Sequence, residues 1–410
     1  MSGKWPGGII SKTAPTVTGP TDGEGGSASG IWTLDQAADY EKQGLWPKPV
    51  IPKELWSWGS GNHGQLGQGD TTDYSSPVQI GALTTWLKVA LTYQNSLAIK
   101  TDGTLWAWGR DWRGELGQGT FNVPKSSPVQ VGALTDWAEI SGGMWSVLTV
   151  KTDGTMWAWG NNSYGQLGQG NTTRYSSPVQ VGALTTWLKV ANGPYHTLAT
   201  KTDGTLWCWG RGNGGQLGQG NTTDYSSPVQ VGALTDWASP AGAGFTADEN
   251  SYCVKTDGTL WAWGSNAYGQ LGLGNTTYYS SPVQVGALTD WDKPYGGENG
   301  GAFIKTDGTI WGVGQNSYGE LGDSSTTTRS SPVQVGALTT WDSLAKGQRS
   351  CAGYKTDGTL WAWGRGTYGA LGLGNTTYYS SPKQVGALTT WIKLPDTMTT
   401  AQHAMGIKQP

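Results

Sequence analysis

The segment Leu-Trp-Ala-Trp-Gly, or a close variant, recurs seven times, beginning at Leu55, Leu105, Met156, Leu206, Leu260, Ile310 and Leu360. The intervals are 50, 51, 50, 54, 50 and 50 residues. A unit of that size cannot bury its apolar face alone and must be covered by neighbouring copies, so the period points to stacked or ringed units before any local reading. It also bears on function. Residues present in every copy build the scaffold, and specificity has to be sought where the copies differ.

Within residues 182–231 four short runs read as strands: 187–191, 197–201, 205–209 and 227–231. They are rich in β-branched and aromatic residues, alternate with period two, and are bounded by Gly, Asn and Asp. Between the second and third runs lies Asp203-Gly204, a hairpin signal that predicts a type I′ turn with positive φ at both central residues. The same pair recurs at Asp102, Asp153, Asp257, Asp307 and Asp357. No repeat carries a 3.6-residue amphipathic pattern. The fold expected is all-β: a seven-bladed β-propeller of four-stranded antiparallel blades.

The pattern Lys-Thr-Asp-Gly-Thr-Leu-Trp-Ala-Trp-Gly, followed by Gly-Gln-Leu-Gly and Ser-Pro-Val-Gln-Val, resembles the repeat of the regulator-of-chromosome-condensation family over about residues 51–408. The resemblance implies a seven-bladed propeller and says little about function, because one fold hosts many. The family's best-known activity is nucleotide exchange on a small GTPase. That would require particular face residues and usually a blade insertion. The largest insertion here, near residues 241–250, adds only four residues, and no catalytic residue carries over.

Twenty of the 25 tryptophans occupy repeated positions. The first of each Trp-Ala-Trp is Trp56, Trp106, Trp157, Trp207, Trp261, Trp311 or Trp361. The second is present in six copies, the sixth copy having Val313. A third ends each Gly-Ala-Leu-Thr segment, from Trp86 to Trp391. Their expected role is scaffold, filling the contacts between blades with large apolar rings.

The first copy lacks the Lys-Thr-Asp-Gly-Thr front half. The C-terminal His403-Ala-Met-Gly-Ile-Lys408 aligns with Asn95-Ser-Leu-Ala-Ile-Lys100, so the first blade is expected to be composite, two strands coming from the C-terminal end and two from residues 54–80. Sharing one blade in this way removes the unpaired edges of an open ring.

Composition excludes several classes. The net charge of −3 with no basic stripe argues against a nucleic-acid partner. Cys208, Cys253 and Cys351 sit at non-equivalent positions and form no disulfide framework. His63, His196 and His403 are isolated, lack metal-ligand spacing, and read as surface or turn residues. Gly59-Ser-Gly-Asn-His-Gly64 satisfies GxGxxG, but no helix follows, so dinucleotide binding is rejected. No Ser/His/Asp set is apparent, and neither cofactor nor metal is expected. No signal peptide or membrane span is evident, which implies synthesis and folding in a cytoplasm.

Residues 1–50 differ from the repeats and read as an extended anchoring arm, with the propeller spanning 51–410. A short helix is expected at about 33–43, with Thr33 and Gln36 as a capping box and Gly44 as its stop. Trp5, Trp32, Leu34 and Trp46 are the candidate anchoring residues; the alternative is a plain linker. The stretch around Trp32 and Trp46 resembles a short segment of marine bacteriophage virion and fibre proteins. On that resemblance the chain reads as a non-enzymatic virion structural or adhesive protein. Its arm would bind other virion proteins, and its ring would be displayed toward a host-surface glycan or protein. The alternatives are a cytoplasmic protein-interaction scaffold or GTPase regulator of the chromosome-condensation type, and a repeat lectin.

Recognition should sit on loops that vary between copies. One variable set precedes the second strand and includes Trp145 and Tyr195. Another precedes the Gly-Gln-Leu-Gly segment and includes Trp112, Arg113, Tyr164, Tyr268, Tyr318 and Tyr368. Trp112 and Trp145 lie outside the repeat pattern and carry no expected packing duty. The tyrosines have an alternative role as covers for blade edges.

Overall fold

The computed structural model describes residues 17–18, 27–28, 51–244, 249–395 and 402–410. In the N-terminal part, Val17–Thr18 pairs antiparallel with Ser27–Ala28. The helix expected at 33–43 and the residues Trp5, Trp32, Leu34 and Trp46 lie outside the described residues.

Lys53–Pro410 forms a unit of its own. It contains seven four-stranded antiparallel sheets. In blade 4 the strands are Trp187–Asn192, His196–Lys201, Leu206–Gly210 and Tyr225–Gln230, paired in chain order. Blades 2 to 7 begin at Trp86, Trp137, Trp187, Trp237, Trp291 and Trp341. Blade 1 is composite: Trp391–Lys393, His403–Lys408, Glu54–Gly59 and Tyr74–Gln79. Its seam runs in unbroken register from Glu54↔Lys408 to Gly59↔His403. Lys408 Nζ also lies 2.7 Å from the Glu54 carboxylate.

The Asp-Gly hairpins differ from the type I′ expectation. Gly103 donates to the Lys100 carbonyl at 3.0 Å and Lys100 to the Thr104 carbonyl at 3.0 Å, so the loop has three residues, Thr101-Asp102-Gly103. Only Gly103 takes a positive φ, 75°. This is a type I turn closed by a left-handed residue. Asp102 suits the turn for a reason other than positive φ: its carboxylate accepts from the Thr104 amide at 2.9 Å and the Thr104 hydroxyl at 2.6 Å. Trp106 Nε1 then donates to that hydroxyl at 2.9 Å, and five other blades repeat the chain of bonds.

The second strand of every blade is buried throughout and the fourth is half exposed. The core therefore lies over the inner three strands and between sheets. Trp137 and Trp159 of blade 3 pack on Leu97, Ile99, Leu105 and Leu116 of blade 2. The second tryptophan of each pair also reaches across: Trp159, Trp209 and Trp263 donate from Nε1 to carbonyls of the preceding blade at 2.8–3.0 Å. The last glycine of Gly-Gln-Leu-Gly makes room for it. A Cβ on Gly168 would stand 2.8 Å from Trp209 Nε1, on a backbone already at φ +72°.

Blade 6, where Val313 replaces that tryptophan, is repaired from the adjacent strand. Phe303 is buried, with its ring centroid 5.6 Å from Trp291 and 5.2 Å from Tyr252. In each blade a lysine at the end of the second strand lies over the first tryptophan, as Lys201 does over Trp207 at 3.6 Å.

Candidate interaction face

Strand order fixes two faces. The three-residue hairpins and the starts of the first strands lie on one, the hairpin face. The loops joining first to second strands and third to fourth strands lie on the other, the loop face. Both variable sets therefore fall on the loop face.

Across blades 2 to 4 these loops meet in a ladder of rings and guanidinium groups. Tyr93 and Trp145 are 6.3 Å apart between centroids, Trp145 and Tyr195 5.8 Å, and Tyr195 and Tyr164 5.1 Å. Arg113 lies 4.3 Å over Trp145 and donates to the Asn161 side chain at 3.0 Å. Arg211 lies 5.0 Å over Tyr164. Burial pushes the Tyr195 hydroxyl up to about 12, with Glu249 adding to the effect, so it stays a neutral donor and acceptor. Trp145 thus has a packing role, contrary to expectation: it is half-buried between two tyrosines and an arginine. Trp112 does not. It is 58% exposed, backed by Arg110, and shares a cleft with Phe121, Asn122, Thr173 and Arg174.

A second group stands on blades 6 and 7. Arg349 grips both oxygens of Glu298 at 3.0 Å and donates to the Tyr318 hydroxyl at 3.0 Å, and the pairing raises its already high pKa. Tyr318 packs on Tyr378 with centroids 5.4 Å apart, and Arg365 lies 5.4 Å over it. Tyr368 is exposed at φ +59°, and Tyr268 is exposed in blade 5, away from both groups. Three other tyrosines, Tyr175, Tyr225 and Tyr279 at the starts of fourth strands, are tied down locally: Asn171, Asn221 and Asn275 donate to their hydroxyls at 3.1–3.3 Å.

Below the ladder are polar groups that the sequence pattern does not reveal. His196 and His403 are buried, not superficial. His196 Nδ1 lies 2.7 Å from Glu249 and its Nε2 3.0 Å from Ser251, a Ser–His–Glu geometry assembled from two blades. All three are buried, and Ser251 donates its proton to the Gln216 carbonyl at 2.8 Å, so the set ties blades 4 and 5 together instead of presenting a nucleophile. In the slot where blades 1, 3, 4 and 5 have Gln65, Gln166, Gln216 and Gln270, blade 2 has Glu115. Its carboxyl is fully buried, accepts from the Arg113 amide at 2.7 Å, and leaves Oε1 without a partner. Burial pushes it up to about 7. No three His, Cys, Asp or Glu side chains group to hold a metal among the described residues. Nor is any described helix long and apolar enough to cross a membrane.

The chain matches the regulator of chromosome condensation (RCC1) repeat over residues 54–99, 102–150, 153–200, 203–244, 257–293 and 357–394. It is 32% identical over 122 residues to the ultraviolet-B receptor UVR8 of Arabidopsis thaliana, covering 29% of this chain and 28% of that one. It is 30% identical over 122 residues to the human E3 ubiquitin-protein ligase HERC2, covering 29% of this chain and 2% of the ligase. The aligned stretch is thus a small part of either relative. In structure it resembles a chain from the crystal structure of the complex between Kap60 and yeast RCC1 (Prp20), with TM-score 0.77, 20% identity and coverage of 88% and 89%. Human WBSCR16 gives TM-score 0.75, 20% identity and coverage of 87% and 99%. At such identities the likeness is one of fold. Six repeat matches spread along the ring carry the family assignment: the chain belongs to the regulator of chromosome condensation (RCC1) repeat family.

Proposed function

We propose that this propeller is a non-enzymatic protein-interaction module that engages its partner on the loop face, over blades 2 to 4. The observation that carries the reading is the ladder from Tyr93 to Arg211, with Trp112 exposed beside it. Trp, Tyr and Arg are the residues that dominate binding energy at protein interfaces, and rings already locked against one another lose little freedom on docking. The structural relatives agree in kind: yeast RCC1 was crystallised with Kap60, and Prp20p was studied for binding to Gsp1p and histones. A cytoplasmic location goes with this reading. The virion and adhesin reading finds no support among the relatives, and the segment around Trp32 and Trp46 on which it rested lies outside the described residues.

The test is capture of partners from the native source by the intact chain, by a loop-face variant (Trp112→Ala with Arg113→Ala) and by a hairpin-face variant (Asp203→Ala with Asp257→Ala). Loss of a defined partner with the first variant alone, at unchanged folding, is the expected result. Equal capture by all three would overturn the assignment.

A further inference from the structure

We propose that the cleft between blades 2 and 3 on the loop face docks a peptide segment bearing a carboxylate beside an apolar side chain. The inference rests on the interaction reading above and names the partner's chemistry.

The chain's seven arginines all fall in loops or strand ends of the loop face, and none on the hairpin face. Three are answered by carboxylates: Arg211 by Glu249, Arg329 by Asp323 and Arg349 by Glu298. Arg174, which lines the cleft, and Arg113, next in sequence to Trp112 of the cleft wall, have no carboxylate partner among the described residues. Arg113 is held in place by the Trp145 ring and Asn161, so it loses little further freedom on docking. A planar guanidinium with free donors fits a carboxylate with two bonds.

The apolar half belongs to blade 2 alone. Where blades 3, 4, 5 and 7 have Asn-Thr-Thr, blade 2 has Thr120-Phe-Asn-Val-Pro124. Phe121 is 45% exposed and Val123 40%, next to Trp112. Asn122 takes φ +61° and its amide bonds the Asp111 carbonyl at 2.5 Å, which fixes the loop in this shape. The cleft lined by Trp112, Phe121, Asn122, Thr173 and Arg174 holds about 370 Å³, room for one apolar side chain and its neighbour.

The acids nearest the cleft do not cancel its charge at the surface. Asp111 is buried and engaged by the Leu116 and Val123 amides and the Thr120 hydroxyl. Glu115 is buried and drawn toward its neutral form. A neutral sugar would leave the Arg174 guanidinium unused. A nucleic acid needs a run of phosphate contacts, which Arg174, Arg113 and a net charge of −3 do not supply.

The experiment uses the full chain and short fluorescein-labelled peptides alternating Leu or Phe with Glu, with Lys or with Ser, and a single-stranded RNA of similar length, read by anisotropy. The Glu peptide should bind best, and added salt should weaken it. Arg174→Glu should cost it about tenfold or more and favour the Lys peptide, while Trp112→Ala should weaken it about tenfold without removing the salt dependence. Both positions are on the surface, and unchanged melting curves will confirm folding. No binding of the Glu peptide, equal binding of the three peptides, displacement by RNA, or indifference to Arg174→Glu would each overturn the inference. If the Glu peptide fails yet the Trp112/Arg113 variant still loses its natural partner, the interaction reading stands and this inference falls. If that variant keeps its partner, the interaction reading itself falls.

Discussion

The indole nitrogen of Trp58 donates a 3.0 Å hydrogen bond to the carbonyl of Ala370, joining residues 312 positions apart. Gly372 makes the approach possible, since a Cβ there would stand 2.9 Å from the same nitrogen. The ring is therefore closed twice, once by strand pairing inside blade 1 and once by a side chain of blade 1 lodged in blade 7.

Deleting residues 405–408 should destabilise the whole ring. It removes the partners of Glu54, Leu55, Trp56 and Ser57 and uncovers the blade 1 core that Met405 and Ile407 help to fill. The melting temperature should fall by about 10 °C or more. A shift within about 2 °C, the size expected from roughly 1 kcal/mol or less, would show that the seam is dispensable.

Phe303→Ala should cost about 3–5 kcal/mol, read by denaturant unfolding, because it empties the space that a tryptophan fills in the other blades. Val313→Trp alone should overpack the site and cost about 1–3 kcal/mol. The double variant should recover part of both losses. Simple additivity would show that the two side chains do not share one volume.

Glu115→Gln should stabilise the protein in alkaline solution and not in acid. Burial holds the folded pKa of Glu115 near 7, above the ordinary value of 4.5. The folded state thus binds more protons than the unfolded between those values, and stability falls as pH rises through the window. The variant, with the side chain that sister blades carry, should melt above wild type at pH 8 and converge with it by pH 4. Parallel melting curves across that range would rule out a buried, proton-holding Glu115 as the source of the pH dependence.

Trp145→Ala and Trp112→Ala should separate in stability. Trp145 loses two ring contacts and an arginine stack, so about 1–3 kcal/mol is expected. Trp112, mostly in solvent, should change stability by less than about 0.5 kcal/mol. Equal losses would mean that Trp112 is packed in solution.

The period, the strand number and the composite blade were legible because each is a pattern in one dimension. The missing half of the first copy is a fact about Ile51-Pro-Lys-Glu54 and His403–Lys408 that needs no coordinates. The Asp-Gly turn was misjudged because two-residue and three-residue loops share that dipeptide, and only the Lys100 and Thr104 bonding distinguishes them. The burial of His196 and the packing of Trp145 were not legible at all. Their partners, Glu249, Ser251, Tyr93 and Tyr195, come from neighbouring blades about fifty residues away. Two signals for the candidate site do lie in the sequence: the confinement of arginine to loop-face segments, and the apolar Phe121 and Val123 in the blade 2 loop where the other blades keep a polar residue before Thr-Thr.

The lysines laid over tryptophans have a consequence for chemical labelling. Lys100, Lys151, Lys201, Lys255, Lys305, Lys355 and Lys408 are each only 6–7% exposed, one in every blade, whereas Lys189 stands open to solvent. An amine-reactive reagent should modify Lys189 at once and reach a sealed lysine only when its own sheet comes apart. The seven amines are therefore built-in reporters, each with a distinct peptide mass, and the order in which they become reactive would trace where the ring first opens under heat or denaturant.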